Sequence, residues 1–137
     1  MPFPAVTSPT PTSLRLDLDI PAEASVASVV PVVLRVTNVH DRSVDVYLRG
    51  REITFDVIAT REDGEVVWRL LEGAIVPAIV RIETIEPNAP LELRAIWPLE
   101  TRAGAPVPPG VYTLTGVLLT DGPALRTPSV MVRVLSG

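Results

Sequence analysis

Residues 108–118 read Pro108-Pro109-Gly110-Val111-Tyr112-Thr113-Leu114-Thr115-Gly116-Val117-Leu118. A rigid Pro-Pro-Gly turn hands over to a period of two, with Tyr112, Leu114, Gly116 and Leu118 on one face and Thr113 and Thr115 on the other. That beat is the signature of a half-buried strand. Upstream, Leu91, Leu93, Ala95 and Trp97 alternate with Glu92 and Arg94, and the run stops at Trp97-Pro98. Downstream, after Asp121-Gly122, Val130, Val132 and Val134 alternate with Ser129, Met131 and Arg133. Three strands in a row with one apolar face each predict a layered β structure.

The same alternation extends toward the N-terminus. Leu14, Leu16, Leu18 and Ile20 are interleaved with Arg15, Asp17 and Asp19; Val32, Leu34 and Val36 share a face; Val44, Val46 and Leu48 alternate with Asp45 and Tyr47. A tight turn is expected at Gly50-Arg51, followed by Ile53, Phe55, Val57 and Ala59 on one face. Asp63-Gly64, just before Val66-Val67-Trp68, predicts a hairpin with a type I′ turn, which needs positive φ at both central residues. Most of the fifteen prolines fall between these runs, where they end strands without removing ladder donors. Helix is plausible only over residues 70–79, and Gly73 and Pro77 argue against it there. One sheet cannot cover so many apolar faces, whereas two packed sheets can. The fold expected is all-β, an immunoglobulin-like antiparallel β-sandwich of about eight to nine strands. Gly110-Val111-Tyr112 further suggests a tyrosine corner, in which the Tyr hydroxyl bonds to upstream backbone.

A length of 137 residues suits one domain with a sizeable core. Residues 7–12 (TSPTPT) form a Pro/Thr tract, so residues 1–12 are read as a flexible N-terminal segment and 13–137 as the sandwich domain. The chain has no cysteine, which excludes disulfides and thiolate metal sites and weakly favours a reducing compartment. All twelve basic residues are arginine, a bias read as GC-rich codon usage, with heat adaptation as the alternative. A net charge of −4 argues against a nucleic-acid partner, whose phosphates need neutralising. No run approaches the roughly 20 apolar residues of a membrane span. The first residues lack a basic and then apolar leader. A cytoplasmic address is therefore expected, or export if Met1 stands in place of a removed leader.

Chemistry is hard to find. The sole histidine, His40, lies beside Asp41, but neighbours in a strand point to opposite faces, so a turn histidine is expected rather than an oriented base. Asp17 and Asp19 share a face yet lack the six or more oxygens of a calcium loop. Glu62, Asp63 and Glu65 read as charges solubilising a turn, and Ser43 has no elbow motif around it. Gly104 and Gly110 stand isolated among prolines and cradle no phosphate. The expectation is no enzyme, no catalytic residue, no metal and no cofactor, but a protein partner. Two segments stand out for recognition: the Pro-restricted loop 99–109 (LETRAGAPVPP) and the apolar stretch 71–90, which reads as an exposed patch or an extra edge strand.

The ordered set Ile53-Thr54-Phe55-Asp56-Val57, Asp63-Gly64-Glu65-Val66-Val67-Trp68-Arg69, Trp97-Pro98-Leu99, Gly104 and Pro108-Pro109-Gly110-Val111-Tyr112 resembles the BsuPI domain, the family of the bacillar intracellular proteinase inhibitor. The resemblance runs over about residues 31–134. It departs from the family at residues 74–85, which are more apolar. It implies a sandwich fold and inhibition of a subtilisin-type serine protease by a rigid, substrate-like loop. Leu99, Glu100, Thr101, Arg102 and Ala103 are the candidate contacts, although Arg102 suits a trypsin-like pocket better. No inhibitory residue of the family maps onto a position here. Trp68 and Trp97 are expected to be core anchors. The alternative is a structural or interaction module of the cell envelope or a larger assembly, without inhibitory activity.

Overall fold

The computed structural model describes residues 14–50, 54–74, 79–122 and 124–136. The expected flexible segment, Arg51 of the predicted turn, and Ile53 lie outside them. Eleven strands follow in order: β1 (Leu14–Asp19), β2 (Glu23–Ser25), β3 (Val30–Asn38), β4 (Val44–Arg49), β5 (Phe55–Arg61), β6 (Val66–Arg69), β7 (Val80–Ile85), β8 (Leu91–Trp97), β9 (Gly110–Leu118), β10 (Leu125–Arg126) and β11 (Val130–Leu135). No helix occurs among the described residues, and the described part of 70–79 begins as a turn. Nothing there is helical, long and apolar enough to cross a membrane.

One sheet has the order β1-β3-β8, a second β2-β11-β9-β5-β6 with β10 beside β9, and β4 pairs with β7 in a two-stranded ribbon. Every pairing is antiparallel except β2 with β11. The inward residues are those the alternation selects: Leu14, Leu16 and Leu18, Val32, Leu34 and Val36, Val46 and Leu48, Phe55, Val57 and Ala59, Leu114 and Leu118, Val132 and Val134 form one buried cluster. Gly116 lies where strand β9 meets side chains of the facing sheet. A Cβ there would lie 2.8 Å from the Leu34 side chain and 3.0 Å from that of Leu18. Strand β9 therefore needs glycine at that point so that β1 and β3 can lie against it.

Two details depart from expectation. The described residues form eleven strands rather than eight or nine. β2 and β10 have three and two residues, too short for any periodic signal, while β7 carries apolar residues that stay exposed. The β5–β6 hairpin exists, but its turn is not type I′. Among described residues only Asn88 and Leu99 combine a side chain with positive φ, so Asp63 does not. Gly64 alone takes the left-handed conformation (φ 90°). Its N–H donates to Arg61 O, and Arg61 N–H donates to Glu65 O, both at 2.9 Å. That is a three-residue loop closed by a left-handed glycine, the next most common hairpin solution. The Asp63 carboxylate accepts from Glu65 N–H, which holds the side chain in the turn.

Buried polar groups hold the loops in place. Asn38 donates to Arg42 O (2.6 Å) and Ile85 O (2.9 Å) and accepts from the His40 amide, tying the 39–43 turn to the end of β7. The Asp56 carboxylate accepts from the amides of Val57 and Leu71 and from Arg69, which pins the turn after β6. Thr127 N–H donates to Gly116 O, and the Thr127 hydroxyl in turn accepts from Gly116 N–H.

Candidate functional site

The 99–109 loop is a small hairpin gripped at both ends by aromatic side chains. Trp97, fully buried at the end of β8, donates its indole N–H to Glu100 O at 3.1 Å. Tyr112, at the start of β9, donates its hydroxyl to Pro108 O at 2.6 Å, the tyrosine corner expected from Gly-X-Tyr. The two rings meet edge to face with centroids 5.5 Å apart, and the Trp68 ring lies 6.1 Å from that of Trp97, tilted by 33°. Trp97 and Tyr112 thus form a single base under the loop. Trp68, half-buried, borders the core rather than sitting in it. Burial raises the Tyr112 hydroxyl above its ordinary pKa, an effect the nearby Arg61 charge partly opposes.

Within the loop, Glu100 pairs with Pro106, Thr101 N–H donates to Ala105 O at 2.7 Å, and Val107 N–H donates to Leu99 O at 3.0 Å. Gly104, at φ 83°, closes the tip by donating to Thr101 O. Arg102 N–H donates to Val67 O at 2.8 Å, so the tip lies along the edge strand β6. The Arg102 guanidinium meets Glu72 at 2.9 Å. Leu99 combines φ 60° with 2% exposure: a conformation leucine rarely adopts is held by packing its side chain into the core.

Of the five candidate contacts, Leu99 is therefore an anchor, because a side chain in the core cannot touch a partner. Glu100, Arg102 and Ala103 are exposed and Thr101 is half-buried, so these four make the presenting surface. Beside the loop runs a shallow cleft of about 280 Å³, lined by Arg61, Glu62 and Asp63 from the β5–β6 turn and by residues 108–112. Arg61 is engaged by Glu65 at 3.3 Å. Asp17 pairs with Arg15, and Asp19 faces Arg35 at 3.8 Å, so that acidic face is neutralised by arginine. His40 and Asp41 sit exposed in the 39–43 turn. Among described residues no group of three or more acidic or histidine side chains is placed to hold a metal ion.

The sequence shows both strands of the ribbon but not their pairing. β7 falls inside the stretch 71–90 read as an exposed patch or an extra edge strand, and it is both: Val80 and Ile82 are exposed on a strand that, among the described residues, pairs only with β4. Sequence reading missed Asp56 and Asn38 as loop fasteners. An isolated polar residue in an apolar run was the only available signal.

No family model matches the chain, and no curated protein matches it. Among solved structures it is similar to the sporulation control protein Spo0M from Bacillus subtilis (TM-score 0.54, 11% identity, 91% of this chain and 50% of that one). It is also similar to the β-glucosidase EmGH1 from Erythrobacter marinus (TM-score 0.51, 12% identity, 90% of this chain and 15% of that one). The chain thus spans half or less of the length of these two structures, and at these identities the likeness is one of fold alone.

Proposed function

We propose that this chain is a non-enzymatic protein-binding β-sandwich whose recognition element is the 99–109 hairpin. The observation that carries the reading is the double grip on that loop, Trp97 on Glu100 and Tyr112 on Pro108, which leaves Glu100, Arg102 and Ala103 outward on a backbone already fixed. A loop ordered before docking loses little conformational entropy when it docks, and loops on a rigid scaffold are common binding elements. The lack of cysteine suits a partner in the cytoplasm.

Inhibition of a subtilisin-type serine protease, implied by the BsuPI resemblance, is the sharper form of this reading. A tied-down loop supports it, since a cleaved bond held at both ends is slow to separate. The hydrogen bonding limits it: the amides of Thr101, Arg102 and Gly104 are already used inside the fold. Insertion as an extended, substrate-like strand would break them, so docking through the tip's side chains fits the geometry better. The module reading without inhibition rests on that difference.

The test uses the full chain and its tip variant Arg102→Glu with Ala103→Asp. Subtilisin-type and trypsin-type proteases are titrated with each, and lysate partners are cross-linked to each. Inhibition lost in the variant establishes the inhibitory form. A partner lost in the variant, with no inhibition, establishes the module. Rapid cleavage after Arg102 together with partners indifferent to the tip would refute both.

A further inference from the structure

The β4–β7 ribbon projects a strand with one edge open. Among described residues β7 pairs with β4 alone. The register runs Tyr47↔Ile82, Leu48↔Arg81 and Arg49↔Val80, and one step further Gly50 N–H donates to Ile79 O at 2.9 Å. In an antiparallel ladder hydrogen-bonded and non-hydrogen-bonded pairs alternate. The bonded pairs are thus Leu48/Arg81 and Val46/Glu83. It follows that the backbone N–H and C=O groups of Val80, Ile82 and Thr84 point away from β4, toward the open edge. Ile82 is 56% exposed and its cross-strand partner Tyr47 is 41% exposed, on the same face.

The side chains along that edge are self-complementary. Read from Val80 to Thr84 the order is apolar, Arg81, Ile82, Glu83, polar. Laid antiparallel on itself with Ile82 opposite Ile82, the strand sets Arg81 of each copy against Glu83 of the other, and Val80 against Thr84. The Arg81–Glu83 contact within one strand is long, 3.7 Å, and both side chains are partly exposed. They are free to reach across an edge, where opposite charges in directly facing, non-hydrogen-bonded positions attract.

We propose that the open edge of β7 pairs with β7 of a second copy of this chain, about a two-fold axis through Ile82. The product is a continuous four-stranded sheet β4-β7-β7-β4. About six backbone hydrogen bonds form through Val80, Ile82 and Thr84. One face carries an apolar stripe from Tyr47 through both Ile82 side chains to the second Tyr47. The other face carries two Arg81–Glu83 pairs. Edge pairing through a six-residue strand sits at the small end of specific interfaces, so the association is reversible. This inference stands apart from the hairpin's role, because it uses no residue of 99–109.

Sedimentation velocity of the full chain, from micromolar to millimolar concentration, tests it. The wild type shifts from monomer to dimer across the series. Arg81→Glu alone, Glu83→Arg alone and Ile82→Lys each raise the dissociation constant by roughly tenfold or more. Arg81→Glu combined with Glu83→Arg restores dimerisation, since the facing charges are again opposite. Far-UV circular dichroism and urea midpoints confirm that these variants stay folded. A wild type monomeric throughout, as expected if the edge serves a strand of another protein, overturns the proposal. So does a dimer indifferent to the single substitutions, or a double variant no tighter than the singles.

Discussion

Replacing Tyr112 with phenylalanine removes one oxygen and leaves the ring. The ring is 3% exposed and keeps its edge-on contact with Trp97, so packing is unchanged. What is lost is the 2.6 Å bond to Pro108 O. Pro108 is itself exposed, so water can reach the abandoned carbonyl and the larger penalty for an orphaned buried acceptor does not apply. The cost is then that of one ordinary hydrogen bond, about 1 kcal/mol, or roughly 3–5 °C in melting temperature for a domain of this size. Urea unfolding followed by fluorescence of Trp68 and Trp97 measures it. A second arm uses pH. Burial raises the folded-state pKa of Tyr112 above the unfolded value of 10.0. The folded state therefore binds the proton more tightly, and its advantage is whole below pH 10 and lost as pH rises through the folded value. The phenylalanine variant has no such proton, so the stability gap between the two proteins narrows in alkali. Equal stability at neutral pH, or a gap constant through alkaline pH, would refute the corner.

Other expectations are simpler. Gly116→Val forces a side chain against Leu34 and Leu18 and destabilises by about 1–3 kcal/mol, read from the urea midpoint. Asp56→Ala strips two amides and Arg69 of their acceptor; because Arg69 is half-exposed and can hydrate, the loss is about 2 kcal/mol rather than that of a fully buried pair. Thr54 is fully buried and its hydroxyl has no hydrogen-bond partner among the described residues. Thr54→Val removes that unsatisfied group at equal volume and stabilises by about 1 kcal/mol; a loss of that size would show a partner for the hydroxyl.

Alternation made the sandwich legible in residues such as Leu14, Leu34, Val57 and Leu114, because a strand with one buried face must repeat every second residue. The tyrosine corner was legible too, since Pro-Gly-X-Tyr places a hydroxyl within reach of its own upstream turn. The type I′ expectation failed because an Asp-Gly pair is shared by two hairpin geometries, and only the pairing of Arg61 with Glu65 distinguishes them. β7 left its pairing unwritten, since Val80 and Ile82 are apolar residues that stay exposed and so break the link between hydrophobicity and burial. In the loop, the prolines and glycines announced restriction. That Leu99 turns inward and Arg102 joins Val67 depends on contacts between segments far apart in sequence, which no local pattern encodes.

Amide hydrogen exchange across the hairpin addresses the central claim, that 99–109 is a recognition loop fixed by its scaffold. The amides of Thr101, Arg102 and Val107, each bonded to a backbone carbonyl, should exchange slowly, with protection approaching that of neighbouring β9 and collapsing in the Tyr112→Phe protein first at Val107. Exchange at all three sites as fast as in an unstructured peptide would contradict the account.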